Sequence, residues 1–454
     1  FMPQTFHLNK GFNIPLAGRA LLEERKISQP DSFAVKPSDF KGLVQPKLLV
    51  SVGENVKAGA PLFFDKGSEE VLFVAPVSGE ISEIIRGERR KIIEIRILAD
   101  KEVEYKAFKK HTKTDINNLT RAEAIAALTA SGIWPSFIQR PFGVLANPSD
   151  EPSAIYISAF DSNPCAPDMA YLLRRKEGVF QLGIDVLNKL AKGNIHLNLD
   201  ASEIPSVFSG MEQVNINKFS GPHPAGNVGV QIHHIKPIGK NDKVWTIDPL
   251  SVARIGTLFS KGIYDASKLI AITGSEIIHP HYVKTYSGAC LDKLVAENFK
   301  ETNARFISGN VLSGEHVGAR GYLGHFHNQI SVIPEGDEEE FLGWMLPSFK
   351  KLSFHKAFGL FSFLNPKKEK VLDTNTNGEQ RNFTISGAFE KILPMDILPT
   401  YLFKSIISND YDEMEALGIY EVVEEDVALC EYIDVSKNDI QAIVREGIEL
   451  IRNS

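Results

Sequence analysis

Ala154-Ile-Tyr-Ile157 is a short β-prone run; helical patterns follow near residues 169–175 and 179–192, and Ile195-His-Leu-Asn-Leu199 returns to strand. Alternation of strand and helix at this spacing argues for a parallel sheet covered by helices, a Rossmann-like layout. Just upstream, Thr120 and Glu123 stand three apart, ahead of an Ala-rich stretch over 121–130. That spacing lets each side chain satisfy the other's first-turn backbone donor, so it predicts a capping box and a helix start. Downstream, two loops, Phe219-Ser-Gly-Pro-His-Pro-Ala-Gly226 and Ile232-His-His-Ile235, are expected to close the region near Val244-Trp-Thr-Ile247. We place this domain at 110–262.

Before it, glycines punctuate short β-prone runs: Val50-Ser-Val-Gly53, Val56-Lys-Ala-Gly59, Pro61-Leu-Phe-Phe64, Val71-Leu-Phe-Val-Ala-Pro76, Val77-Ser-Gly79 and Ile81-Ser-Glu-Ile-Ile85. Turn residues at this spacing read as successive hairpins. The pattern resembles the barrel-sandwich domain of biotinyl and lipoyl carriers and predicts such a domain over 2–109. Carriers hold a modified lysine at a hairpin tip, where Asp65-Lys66 falls here. Neither Met-Lys-Met nor Asp-Lys-Ala occurs, so Lys66 is expected to be an ordinary solvated turn lysine.

After it, Leu269-Ile-Ala-Ile-Thr-Gly274, Ile277-Ile-His-Pro280, a short helix near 292–296 and Arg305-Phe-Ile-Ser-Gly-Asn-Val-Leu312 follow in order. Strand, turn, strand, helix, strand is the layout of a β-grasp domain of the SLBB type, expected over 263–315. The remainder, 316–454, reads as mixed and then helical, with helices near 396–407, 412–417, 424–430 and 438–451. Ile440, Ile443, Val444 and Ile448 give the last of these one apolar stripe. Together this predicts an α/β multidomain protein. The acidic run Glu335-Gly-Asp-Glu-Glu-Glu340 is expected to be a solvated surface.

The chain has 454 residues, enough for two to four domains. Its 50 Lys plus Arg against 57 Asp plus Glu leave a formal charge of −7, which argues against nucleic acid as a partner. Cys165, Cys290 and Cys430 stand far apart, so neither a disulfide framework nor a Cys-ligated cluster has its ligands. No run approaches the ~18 consecutive apolar residues of a membrane span, and no signal pattern opens the chain, so it is expected to stay in a reducing cytoplasm. His279-Pro-His281 and His325-Phe-His327 each put two imidazoles on one face of an extended strand. Two ligands alone do not make a metal centre, so polar packing is expected and metal is not. Gly221, Pro222, His223, Pro224 and Gly226 make the tightest loop, fit either to shape a pocket or to form a structural turn. No GxGxxG, GxxxxGK[ST] or GxSxG motif is present, and no catalytic residue is assigned.

Longer strings carry a more specific resemblance. Lys10-Gly-Phe-Asn-Ile-Pro-Leu-Ala-Gly18, Ala75-Pro-Val-Ser-Gly79, Arg86-Gly-Glu-Arg-Arg90, Ser131-Gly-Ile-Trp134 and Arg140-Pro-Phe142 stand in one order. Gly221-Pro-His-Pro-Ala-Gly226, Tyr322-Leu-Gly-His-Phe-His-Asn-Gln-Ile-Ser-Val332 and Met395-Asp-Ile-Leu-Pro-Thr400 follow in the same order. With these strings the chain resembles, from Met2 onward, the A-subunit family of the sodium-translocating NADH:quinone reductase (Na+-NQR). The resemblance implies a peripheral subunit on the cytoplasmic face of the inner membrane, held by the other subunits and especially by a membrane-embedded one. NADH and quinone would be substrates of the whole complex. It also implies kinship with the flavin- and NADH-binding subunit of respiratory complex I and with the C-subunit of the Rnf complex.

That kinship lets the residues say what is missing. Flavin-binding relatives carry a Gly-Gly-Ala-Gly-Phe-Pro-Thr-like loop where this chain reads Ser131-Gly-Ile-Trp-Pro-Ser-Phe137. Ile133 and Trp134 put bulk where backbone must approach a phosphate, and Pro135 lacks an N–H. Their Tyr-Pro-x-Gly-x-Glu string corresponds to His223-Pro-Ala-Gly-Asn-Val228, and their cluster cysteines are absent before Pro394-Met-Asp-Ile-Leu-Pro399. We therefore expect no cofactor bound by this chain. Trp134, Phe137, Arg140, Phe142 and His223 are the candidate quinone slot, apolar with a cationic donor; the competing expectation is that these aromatics fill the vacated pocket as core. The alternatives in function are a cofactor-free assembly scaffold and an NADH- and FMN-binding flavoprotein.

Overall fold

The computed structural model describes residues 3–191, 194–202, 204–300, 303–337, 352, 354 and 368–454. Two small sheets form the barrel-sandwich region. One runs Ser32–Val35, Ile92–Ala99, Gly79–Arg86, Asn55–Val56; the other runs Pro46–Leu48, Pro61–Asp65, Ser68–Val74. Their inward residues alternate along the strands: Ile81, Ile95 and Ile97 are fully buried, and Phe63 stacks on Phe73 at 4.5 Å. Lys66 sits exposed in the turn between Asp65 and Ser68, its backbone N–H donating to the Gln45 carbonyl.

The central sheet has seven strands in the order Gln4–His7, Asn215–Ser220, Ile195–Asp200, Ile155–Ser158, Val244–Thr246, Ile138–Arg140, Val144–Leu145. The first five are mutually parallel, Ile138–Arg140 runs antiparallel to them, and Val144–Leu145 runs antiparallel to Ile138–Arg140. The predicted capping box is present: Glu123 N–H donates to Thr120 Oγ1 at 3.3 Å, and Thr120 N–H to Glu123 Oε2 at 2.9 Å. Helices Glu177–Ala191 and Pro249–Lys261 pack in near backbone contact. Only glycine permits this. A Cβ on Gly256 would lie 1.7 Å from the Val179 carbonyl oxygen, and one on Gly183 2.1 Å from that of Val252.

Three local expectations change. Ile232-His-His-Ile235 is the end of a helix, Val228–Ile235, whose Val230 and Ile232 are buried; short apolar runs do not by themselves separate helix from loop or strand. The helix expected near 169–175 is one turn, Met169–Leu172, capped by Asp168. Ile277–Pro280 is a turn, and the strand begins at His281.

The third sheet runs Glu315–His316, Ala304–Ser308, Gln329–Pro334, Ser267–Thr273, His281–Tyr286, Glu24–Arg25, with helix Leu291–Val295 between two of its strands. Two strands come from outside the expected 263–315. Gln329–Pro334 lies centrally, pairing with Ala304–Ser308 on one side and Ser267–Thr273 on the other. Glu24–Arg25 comes from the first domain's stretch, as Gln4–His7 does in the central sheet. The first 25 residues thus edge both neighbouring sheets before the barrel sandwich begins, a long-range pairing that no local pattern encodes.

The C-terminal part contains helices Phe389–Ile392, Pro399–Ile407, Tyr411–Ala416, Glu424–Ile433 and Ile440–Asn453. Ile440, Val444, Ile448 and Ile451 of the last are buried, as its stripe predicts. The end of the acidic run, from residue 338, lies outside the described residues. No helix among the described residues is long and apolar enough to cross a membrane.

Candidate functional site

The five slot residues do not meet in one place. Trp134 opens the 3-10 turn Trp134–Ser136, and its side chain is fully buried. Its indole N–H donates to the Ala146 carbonyl at 2.8 Å. Its ring lies 5.0 Å from Phe137 and 5.4 Å from Trp245, centroid to centroid, and Phe137 and Trp245 are fully buried too. These three aromatics pack against one another as core, the arrangement of the competing expectation rather than of an open slot.

Arg140 points elsewhere. It ends the Ile138–Arg140 strand and pairs in antiparallel register with Val244, the first residue of Val244–Thr246. Its Nη1 donates to Asp426 Oδ2 at 2.9 Å and its Nη2 to Glu425 Oε1 at 2.8 Å, both on helix Glu424–Ile433. Burial works against the guanidinium's charge, but the two carboxylates outweigh it and hold its pKa above the ordinary value. Both terminal nitrogens of this arginine are taken up by the salt bridge, while its buried Nε has no partner among the described residues. Next to it, Phe142 has a φ of 87°, meets Tyr420 edge to face at 6.1 Å, and offers its carbonyl to Arg445 Nη1 at 2.9 Å. Arg445 in turn forks onto Glu424 at 2.6 and 2.7 Å. Arg140 and Phe142 therefore form the seam between the central sheet and the C-terminal helices.

His223 lies at the other end of the sheet. The loops after Ile155–Ser158 and Asn215–Ser220 both leave the carboxyl ends of parallel strands, where open α/β sheets place their ligands. There His223 Nδ1 lies 3.1 Å from Ser162 Oγ, which also accepts the Gly226 N–H at 2.8 Å. A Cβ at Gly226 would fall 2.5 Å from the Ser162 backbone nitrogen, so glycine is required for the loops to close. His223 is 2% exposed, and burial lowers its pKa to about 4, so the imidazole is neutral. Its Nε2 has no hydrogen-bond partner among the described residues.

Asp161 and Cys165 stand nearby in the same loop and were not singled out by sequence reasoning as site residues. Burial raises the Asp161 carboxyl against the bonds it accepts from Asn163, and pushes the Cys165 thiol up to about 11 while Sγ donates to the Leu16 carbonyl at 3.3 Å. A thiol held protonated is no nucleophile, and among the described residues no carboxylate bonds His223, so this edge lacks the arrangement that acyl transfer needs. The one sequence signal for it was the Gly221–Gly226 loop. Asp426 and Glu425 carried none, because nothing local links them to Arg140.

Of the two histidine pairs, His281 is buried and His279 exposed, while His325 and His327 are half-buried. His281 Nδ1 bonds the His279 carbonyl at 2.5 Å, and His327 Nδ1 bonds Ser308 Oγ at 2.8 Å. Among the described residues no group of three or more His, Cys, Asp or Glu is placed to hold a metal ion.

Three family models match successive parts of the chain: the NqrA N-terminal barrel-sandwich hybrid domain over 6–100, the NqrA second alpha/beta domain over 119–264, and the NQRA C-terminal domain over 269–319. The A-subunit of the Na(+)-translocating NADH-quinone reductase of Yersinia pestis bv. Antiqua (strain Angola) is 35% identical over 442 residues, covering 97% of each chain. That of Neisseria meningitidis serogroup B (strain ATCC BAA-335 / MC58) is 36% identical over 451 residues, covering 98% of each. That of Serratia proteamaculans (strain 568) is 36% identical over 455 residues, with 98% of each chain covered. A solved NAD+-reducing [NiFe]-hydrogenase in the H2-reduced state aligns over 48% of each chain at 12% identity and a TM-score of 0.34.

Proposed function

This chain belongs to the NqrA family, the A-subunits of the Na(+)-translocating NADH-quinone reductase, and we propose that it serves that oxidoreductase as a peripheral, cofactor-free component on the cytoplasmic face of the membrane. A membrane-embedded subunit would hold it there, and NADH and quinone would be substrates of the assembled complex. The kinship to the flavin-binding subunit of complex I and to the C-subunit of Rnf belongs to the same proposal, with the central domain as a Rossmann-like relic.

One observation carries it. Where a flavin-binding relative needs a glycine-rich loop, Trp134 is sealed between Phe137 and Trp245 and hydrogen-bonded to Ala146. A flavin ring and its phosphate would have to displace that core. The test is to purify the chain alone and within the complex. The reading expects flavin absorbance and iron to follow the other subunits; stoichiometric flavin or iron on the isolated chain would restore the flavoprotein alternative.

A second reading, direct contact with quinone, is favoured at His223. Its unpartnered Nε2 at the carboxyl edge of the sheet would suit a carbonyl oxygen. Photo-crosslinking of the intact complex with a quinone analogue, followed by peptide mapping, checks it: labelling is expected on the peptides around 159–165 and 221–228, and its absence there leaves the scaffold role.

A further inference from the structure

An open groove of about 670 Å³ lies between the Pro37–Leu48 stretch and the tip of the hairpin formed by Gly79–Arg86 and Ile92–Ala99. Its charged lining consists of Lys47, Arg86, Arg89, Arg90 and Lys91, with no carboxylate among the lining residues. All five are exposed, and among the described residues none is in an ion pair. Arg86 Nη1 bonds the Arg90 carbonyl at 3.0 Å, which draws the hairpin tip together. Three acids adjoin the lining without belonging to it, and Asp39 is paired with Lys36 at 3.7 Å. Asp65 is buried behind its wall, accepting the Val44 and Gln45 N–H groups at 3.1 and 2.6 Å, and Glu88 lies on the hairpin tip but outside the lining.

Two aliphatic side chains stand out of the protein beside these cations. Val44, in the lining, is 75% exposed, and Ile93, packed over Gly87 at the hairpin tip, is 42% exposed. The chain as a whole carries a formal charge of −7, so an unneutralised basic groove is a local exception and not an average property. Guanidinium groups pair with phosphate oxygens through parallel charge-assisted bonds. Cations flanked by protruding aliphatic side chains match the boundary between head groups and acyl chains, where charge and apolar surface are met together.

We propose that this groove binds the phosphate of an anionic phospholipid head group and rests the barrel-sandwich domain on a membrane surface. The proposal stands on the groove's lining and does not depend on which family the chain belongs to.

The test is co-flotation of the full chain with phosphatidylcholine vesicles, with and without phosphatidylglycerol, at low ionic strength. Binding is expected only with phosphatidylglycerol, and added salt should weaken it by screening. The triple variant Arg86→Gln, Arg89→Gln, Arg90→Gln should lose about fivefold per cation, roughly 100-fold in all. Lys47→Gln, on the opposite wall, should weaken binding by about fivefold on its own. Thermal melting of each variant, expected unchanged because the side chains are exposed, shows that the fold is intact. Equal flotation with both vesicle types, or unchanged binding by a folded triple variant, overturns the proposal. So does tight calorimetric binding of inorganic pyrophosphate without flotation, which would assign the groove to a free phosphate. A chain indifferent to lipid whose triple variant no longer joins the other subunits would assign it to an acidic partner segment.

Discussion

Arg140 and Asp426, 286 residues apart, are joined by a 2.9 Å bond between Nη1 and Oδ2 with both side chains shut away from solvent, at 2% and 0% exposure. Asp426 Oδ2 also accepts the Val423 N–H at 3.0 Å, so one carboxylate caps its own helix and anchors the central sheet. Removing one partner of a buried pair strands the other's charge, at a cost of about 3–5 kcal/mol. Arg140→Leu should lose that much in urea unfolding, and adding Asp426→Asn should recover part of it. Losses that simply add would mean that the two residues do not act as a pair.

Gly229→Ala should weaken the same seam. Alanine in place of a helical glycine ordinarily gains about 1 kcal/mol. Here the new Cβ would lie 2.3 Å from Asp426 Oδ2 and 2.6 Å from Oδ1, far inside van der Waals contact. The sign therefore reverses, and a lowered melting temperature is expected; a raised one would show that the helices part easily.

Trp134→Ala separates core from ligand slot. Loss of a fully buried indole should cost about 3–5 kcal/mol in stability. Quinone titration of the assembled complex should stay as in the wild type. Weaker quinone response at an unchanged melting temperature would return Trp134 to a binding role.

Acid sensitivity tests the carboxyl edge. His223 has an ordinary value of 6.5 and is lowered by burial to about 4 in the fold. The unfolded chain then binds its proton first. Stability from this group is complete above pH 6.5, falls as pH drops toward 4, and changes no further below that, by about 3 kcal/mol in total. His223→Asn should remove this contribution, so its stability should depend less steeply on pH between about 6.5 and 4.5 than that of the wild type. Parallel slopes would mean that His223 is solvated and charged in the fold.

Much of this was legible in the residues themselves. Thr120 and Glu123 three apart, glycines between β-prone runs, and the Ile440–Ile448 stripe are local signals, and each led to an element in its expected place. The site was less legible. Trp134, Phe137, Arg140, Phe142 and His223 look alike from sequence, as aromatic or polar residues beside turns. Whether an aromatic lines a slot or fills one depends on what covers its other face.

Most elements, the family resemblance and the lack of a glycine-rich phosphate-loop string could be read from the residues, because turns, caps and hydrophobic periods are written within a few residues of one another. Folding in three dimensions alone brings Gln4–His7 and Glu24–Arg25 out of the barrel domain into two other sheets, closes Trp245 over Trp134, and sets Arg140 against Asp426. Those partners lie far apart along the chain, and an edge strand's hydrogen bonds or a buried charge's partner are satisfied by whatever the folded chain brings near, which no local pattern specifies.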